Sequence, residues 1–260
     1  MKNIIKVSMI LLLICGNTLP AVAVEDKKTN VTYVTETEIA VNEKIRAAGK
    51  VTGTKTTKVK SGTTVLWSVT VTGTFEYDGS QINPSWAFQE FGIYGSSIIT
   101  WIGPVNITPD NLKDFADVGL EIKSNYMVNF ICEFFDQQPP NMRIAYLRQR
   151  LLVMIFREIL TEYGVKTKRE GDDIFVDDRK LSISIASISL SSAKIHFALN
   201  LEDKGTPSDV ETIGLYDIEI DEKQIFNENN LLDLINETAN RFIDELETIE
   251  NDISKTKVLG

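Results

Sequence analysis

The residues with the most chemistry to offer stand close together, in Gly171–Asp172–Asp173 and in Arg179–Lys180–Leu181–Ser182. Two adjacent carboxylates can hold a hard divalent cation such as Mg²⁺ through oxygen ligands. A lysine a few residues further on supplies a fixed ammonium, able to offset anions brought together and charge developing in a transition state. Asp177–Asp178 reads as a tight turn joining two strands, Asp173 to Val176 and Lys180 to Ile188. Strand alternation then places Lys180, Ser182, Ser184 and Ala186 on one face and Leu181, Ile183 and Ile185 on the other. The apolar set is expected to pack on helices. The opposite face, with a cation, two hydroxyls and a small side chain, suits the floor of a ligand site. A further strand, Lys194 to Leu201, directs Ile195, Phe197, Leu199 and Leu201 one way and His196, Ala198 and Asn200 the other, so His196 and Asn200 extend the polar face. The plainer reading is a solvated hairpin with a polar outer face and an aspartate turn.

Other constellations fare worse. Cys132 could pair with His196 as a thiolate, but it lies in an apolar run and reads as a small buried hydrophobe. A Ser–His–Asp arrangement would need a G-x-S-x-G elbow, and the chain has none. Asp78 and Ser80 in Tyr77–Asp78–Gly79–Ser80 fit a ligand contact or a capped turn equally well. With one histidine, and one cysteine outside the N-terminal apolar run, neither a multi-histidine metal centre nor an internal disulfide of the main body can form.

These residues need elements to position them. The chain has 260 residues and a net charge of −10, with 43% hydrophobic and 25% charged residues, enough for a packed core. With no segment concentrating Lys and Arg, nucleic acid is not an expected partner, and a small-molecule ligand fits better. The clearest helix runs from Asn141, a capping residue, to Gly164, with Ile144, Leu147, Leu151, Ile155, Ile159 and Tyr163 as its apolar line. An acidic helix over Leu231 to Ile253 carries Leu231, Ile235, Phe242, Leu246 and Ile249. Trp86 to Phe91 and Ile98 to Trp101 suggest two strands of a hairpin, Asn111 to Asp117 a short helical turn, and Met127 to Phe135 an apolar segment. Val165 to Arg169 reads as a strand. From Phe75 onward these elements predict one α/β domain.

The N-terminus has a different character. Lys2 and Lys6, the apolar run Val7 to Cys15 and Ala21–Val22–Ala23 form an export-signal pattern over residues 1–23, with an apolar stretch too short to span a bilayer. Residues 24–73 are rich in Thr, Val and Lys, with strand periodicity strongest at Val65, Trp67, Val69 and Val71. The segment TTVLWSVTVTGTFEYDG resembles the β-rich start of small secreted proteins of Gram-positive bacteria. Nothing in the sequence specifies an oligomeric state.

From about Tyr77 onward, the stretches YDGSQI, WAFQEFGIYGSS, REGDDIFVDDRKLSISIAS and KIHFALNL, then GTP and IGL, occur in an order that resembles the uncharacterised prokaryotic family of domain of unknown function 366. That resemblance implies, for residues 74–260, an α/β (α+β) fold like that of the biotin and lipoate protein ligases. In this class II synthetase-like fold a mixed, largely antiparallel sheet is packed by helices. Gly171–Asp172–Asp173–Ile174 and Arg179–Lys180–Leu181–Ser182–Ile183–Ser184 look like a variant of the ligase stretch G-R-N-D followed by R-K-[VI]-[SA]-G-S-A. The resemblance implies that Lys180 contacts the acid's carboxylate and the α-phosphate of ATP, with Asp173 near Mg²⁺ or the phosphates. The chain departs from that pattern where Ile183 replaces the glycine. The arginine- and glycine-rich loop that shields the adenylate has no counterpart; Phe91–Gly92–Ile93–Tyr94–Gly95–Ser96 is the nearest glycine-bearing stretch. Asn129 stands where relatives are expected to carry histidine.

Three functions are therefore in play: ATP- and Mg²⁺-dependent activation or transfer of a small carboxylic acid, small-molecule or nucleotide binding without chemistry, and an exported structural or adhesion role. The leader predicts secretion, whereas members of the resembled family are expected in the cytoplasm. ATP chemistry fits the second location only.

Overall fold

The computed structural model describes residues 75–259, together with the backbone of four earlier strands: β1 (Ala23–Glu25), β2 (Thr32–Thr37), β3 (Gly53–Ser61) and β4 (Thr64–Thr72). The export leader expected over residues 1–23 falls, apart from Ala23, outside the described residues. Beyond β4 come α1 (Trp86–Phe91), β5 (Ser96–Asn106), β6 (Lys123–Phe134), α2 (Met142–Glu162), β7 (Lys168–Glu170), β8 (Asp173–Val176), β9 (Arg179–Lys180), β10 (Ser182–Ile188) and β11 (Ala193–Asn200). The hairpin β12 (Glu219–Ile220) and β13 (Lys223–Gln224) and the helix α3 (Leu231–Lys255) complete the chain. The result is a mixed α+β fold.

Eight strands form the main sheet in the order β1-β2-β3-β4-β5-β6-β11-β10. Every neighbouring pair is antiparallel except β4 and β5, which run parallel. Alternation along β6 explains how the sheet is covered on both sides. Val128, Phe130, Cys132 and Phe134 join the larger core with Phe156 of α2, Phe197 of β11 and Phe242 of α3. Met127 and Ile131 face the other way, into a smaller cluster with Tyr77, Trp86, Phe91 and Trp101. Cys132 is fully buried, and burial pushes its thiol pKa upward, as expected of a structural residue.

The expected start and stop of α2 hold. The Asn141 side chain accepts from the Ile144 amide at 3.2 Å, and Gly164, at φ +84°, takes the left-handed conformation beyond the helix end. Replacing Asn141 with alanine is expected to lower unfolding free energy by about 1 kcal/mol, readable by urea denaturation. The buried face of α2 is rotated from the expected line: Ala145, Gln149, Leu152, Phe156 and Leu160 are buried, while Leu147 is 62% exposed. A nearly continuous apolar stretch, Leu151 to Phe156, admits more than one stripe, and contact with both sheet and α3 selects the one used. Along the same helix Arg143, Arg150 and Arg157 recur every seven residues, Arg150 meeting Asp172 and Arg157 meeting Thr167. They are a concentration of cations that a segment-by-segment reading of composition misses.

Other expectations need correction. Trp86–Phe91 is a helix, closed by Gly92 at φ +69°, and it does not pair with β5. A six-residue stretch with Gln89 and Glu90 among its apolar residues is too short for periodicity to settle, and here the left-handed cap decides. Asn111 to Asp117 forms parts of two 3₁₀ turns, Pro109–Asn111 and Phe115–Asp117. The strand expected over Val165 to Arg169 is only Lys168–Glu170. Among the described residues no helix is long and apolar enough to cross a membrane.

Candidate functional site

The segment from Gly171 to Ser184 is built as a two-residue hairpin that then changes sheets. Asp177 and Asp178 have φ +50° and +60°, the pair of left-handed residues required by the tightest turns, so Val176 pairs with Arg179 and Phe175 with Lys180. At Leu181 the chain leaves this small sheet: Leu181 N donates to Ile174 O, and Leu181 O accepts from Asn200 N on β11. The strand expected over Lys180 to Ile188 is therefore two strands, and the alternation slips by one residue between them. Leu181 and Ala186 both join the helix-side core, and Ser182 and Ser184 turn to that side as well. A one-residue slip exchanges the faces. Below Lys180 the lining consequently includes Ile183 and Ile185 beside Ser184, while Ser182 is buried away from it.

That floor borders a cavity of about 300 Å³, at the small end of ligand-site volumes. Besides Ile183 and Ile185 it is lined by Met127 of β6 and by His196 and Asn200 of β11. One wall is the β5–β6 connection, including Asn111, Asp114 and Asp117; another comes from Thr206 to Thr212.

Lys180 is held at the edge of this cavity from both sides. Its backbone N donates to Glu211 O at 2.8 Å, and its O accepts from Ile213 N at 3.1 Å and from Asn200 Nδ2 at 3.4 Å. Its ammonium lies 2.8 Å from Asp173 Oδ2, with the lysine side chain 26% exposed. Burial pushes the Asp173 pKa up, against the lowering effect of Lys180 and with a further rise from Asp172. Asp172 faces elsewhere. It accepts from Arg150 Nη1 at 2.7 Å, Gln149 Nε2 at 2.9 Å and Ser184 Oγ at 2.6 Å. Across the cavity, Asp117 is raised by its own burial and by Asp114, with Lys180 opposing and Asp172 adding to the rise. Asp114, Asp117, Asp172 and Asp173 thus share one electrostatic neighbourhood with Lys180 and Arg150.

The charge of the lining matters for what could enter. Asp114, Asp117, Glu121, Asp172, Asp173 and Asp209 outnumber Lys113, Lys123 and Lys180. A bare polyphosphate would be repelled here, whereas one carrying a divalent cation would not. Among the described residues no three metal-ligating side chains already converge. Mg²⁺ is commonly held by one or two carboxylates with substrate phosphates and water completing its shell. The oxygen donors of Asp173 and, after rearrangement, Asp172 fit such a role.

His196 lies deeper, 1% exposed. Its Nε2 is 3.0 Å from Asn129 Oδ1, and its ring stacks on Tyr77 with centroids 3.6 Å apart. Burial pushes its pKa down to about 3, so the ring is neutral at ordinary pH. The Asn129 amide donates to Gly103 O and Met127 O, which orients its Oδ1 toward the ring. Asn129 thereby positions His196, a role that strand-by-strand reading could not supply, since the two are 67 residues apart.

Of the residues singled out from sequence, the fold gathers Asp172, Asp173, Lys180, Ser184, His196 and Asn200 around the cavity. It leaves five away from it. Gly171, at φ +61°, shapes the turn before β8 and lies against the Arg150 guanidinium. Arg179 is 3.9 Å from Asp177 on the exposed hairpin. Ser182 is buried, its Oγ accepting from Ile174 N at 2.9 Å. Asp78 accepts from Ser80 N at 2.8 Å, closing a local turn. Residues 91–96, the glycine-bearing stretch, also lie outside the lining. The sequence reading missed Tyr77, Met127, Gln149 and Arg150, together with the acids of the β5–β6 connection; Asp114 and Asp117 within one short turn were the available signal.

With this geometry in hand, comparison places the chain among known proteins. Residues 67–257 match the family described as a domain of unknown function (DUF366). An uncharacterized protein, MJ0805, of Methanocaldococcus jannaschii is 38% identical over 187 residues, covering 70% of this chain and 80% of the relative. A solved protein of unknown function from Pyrococcus horikoshi is 34% identical with a TM-score of 0.68, covering 75% of this chain and all of the other. Biotin protein ligase from Aquifex aeolicus, in complex with biotin and ATP, is similar at a TM-score of 0.42 and 13% identity, over 65% of this chain and 68% of the ligase. That level of likeness lends no weight to any particular activity.

Proposed function

This chain belongs to the DUF366 family, and from that premise we propose that it binds a small carboxylic acid with a largely apolar body and activates it with ATP and Mg²⁺. One observation carries the reading. Lys180, clamped through its backbone, sits at the edge of a cavity floored by Ile183 and Ile185, and among the described residues its ion-pair partner is an aspartate whose charge burial disfavours. An incoming carboxylate can take that partner's place, and the apolar body then gains from leaving water. When bound, Mg²⁺ would neutralise phosphate charge. Asp173 would contribute an oxygen ligand, and Lys180 would hold the acid's carboxylate close to the α-phosphate.

A second reading, binding without chemistry, is favoured by the absence of any arginine from the lining and by the position of residues 91–96 outside it. One experiment separates the two. Octanoic acid is titrated calorimetrically into the full chain with and without Mg²⁺–ATP, and pyrophosphate is assayed in parallel. Activation predicts acid binding, with pyrophosphate release only when acid, ATP and Mg²⁺ are all present. Binding without release favours the second reading; no heat from either acid or nucleotide sinks both. Location bears on the choice too, because a chain starting at Val24 in the medium would meet little ATP.

A further inference from the structure

The β5–β6 connection is a cavity wall held mainly at its two ends. Ile107 N donates to Ile122 O at 3.0 Å and Asn111 Nδ2 to Asp78 O at 3.2 Å, with Ile107 and Ile122 packed on the smaller cluster. Between Leu112 and Leu120 the hydrogen bonds among the described residues stay local. Leu112 N donates to Pro109 O, Ala116 N to Asp114 Oδ1, Asp117 N to Asp114 O and Leu120 N to Asp117 O. Phe115 is 95% exposed, Val118 67% and Leu120 59%. Large apolar side chains left in water on one short stretch gain from any movement that covers them.

The cavity offers that cover. Lys113, Asp114, Asp117 and Leu120 line it, whereas Phe115 and Val118, beside them in sequence, do not. Charge opposes a swing toward the far wall, which carries Asp172 and Asp173. Asp117 already senses Asp114, Lys180 and Asp172. Burial raises the Tyr146 phenol pKa, and Asp114 and Asp172 raise it further, so α2 meets carboxylates of both walls. Like charges brought closer in a partly dry cavity repel strongly. With a divalent cation on Asp173, the far wall turns attractive to Asp114 and Asp117. Resting on the Mg²⁺–ATP reading above, we propose that residues 112–121 form a lid gated by charge. Asp114 and Asp117, facing Asp172 and Asp173, hold it off the cavity. Burial of Phe115 and Val118 draws it over once a divalent cation has entered with the nucleotide. Closure excludes water from the cavity, and an acid without the cation leaves the lid open.

Hydrogen–deuterium exchange of the full chain tests this, read on peptides covering residues 112–121. The exposed turn at Leu190, outside the cavity lining, serves as reference. With octanoic acid, ATP and Mg²⁺ together, exchange at residues 115–120 should slow about ten-fold or more. Octanoic acid alone, or acid and ATP with EDTA in place of Mg²⁺, should leave it unchanged. Asp114→Asn combined with Asp117→Asn removes the repulsion, so octanoic acid alone should then slow exchange. Phe115→Ser alters an exposed side chain and should leave urea denaturation unchanged, yet it should lose the Mg²⁺-dependent protection. Calorimetry in parallel reports whether the cavity is occupied. Binding without protection of residues 115–120 overturns the lid and leaves the cavity reading standing. Protection that grows with protein concentration, and not with ligand, gives Phe115 to a second copy and overturns it too. If neither acid nor nucleotide binds, the cavity reading fails and takes the lid with it.

Discussion

Replacing Lys194 with alanine is expected to lower the unfolding free energy by about 3–5 kcal/mol, the range for stranding one member of a buried ion pair. Lys194 and Glu133 face each other across β11 and β6 with side chains 2% and 1% exposed and N···O 2.8 Å. Each also ties down the segment leading into α1. Lys194 Nζ donates to Asn83 O at 2.6 Å, and Glu133 Oε1 accepts from Ser85 N at 2.8 Å and from Ser192 Oγ at 2.7 Å. Removing the ammonium leaves a carboxylate in the core with its main charge partner gone. The pair itself is a different matter. Burial lowers the Lys194 pKa against the opposing pull of Glu133. Between that value and the ordinary lysine value the unfolded chain binds the extra proton, so this group makes stability rise with pH there. Its charge is thus carried at a net cost. Accordingly, Glu133→Leu combined with Lys194→Met should be far less damaging than Lys194→Ala, although Ser85 and Asn83 lose their anchors. Urea denaturation of the single and double variants checks this; equal losses would mean that the pair stabilises in its own right.

The same pair shows where sequence reading stops. Asn141, Gly164 and the Asp177–Asp178 turn were legible because each is decided by a few neighbouring residues and their backbone preferences. The faces of β11 were legible because alternation there is unbroken, with Ile195, Phe197 and Leu199 in one core and Ala198 in the other. The floor of the cavity was not. A single residue at Leu181 moves the chain from one sheet to another, and every side chain after it changes face. No local preference in Arg179–Lys180–Leu181–Ser182 announces that step; it follows from Leu181 bonding at once to Ile174 and Asn200. Contacts made across the sheet were equally out of reach. Asn129 with His196 and Glu133 with Lys194 depend on register, and register is a property of the assembled sheet. Asp172, Asp173, Lys180, His196 and Asn200, all singled out from sequence, line the cavity because two short stretches bring them there.

Lys180→Ala and Asp173→Asn are expected to move carboxylate binding in opposite directions. Their ion pair is partly exposed, with side chains 26% and 29% accessible, so on a surface-pair scale either change should cost the fold about 1 kcal/mol or less. In Lys180→Ala the ligand loses a charge-assisted hydrogen bond, a loss of about 1.5–3 kcal/mol or roughly ten- to a hundred-fold in affinity. It also meets an Asp173 without its counter-ion, which pushes the loss toward the upper end. In Asp173→Asn the shape is kept while the internal competitor for the ammonium is gone, so octanoic acid should bind about ten-fold more tightly, the scale of one charged contact. The two changes separate binding from chemistry. If Asp173 supplies an oxygen to Mg²⁺, Asp173→Asn should bind acid better yet release less pyrophosphate, because a neutral amide is a poorer ligand for that ion. Calorimetry and a pyrophosphate assay on both variants decide the point. Affinities unchanged in both would remove Lys180 from the site and leave the Asp173–Lys180 pair a structural clasp between β8 and β9.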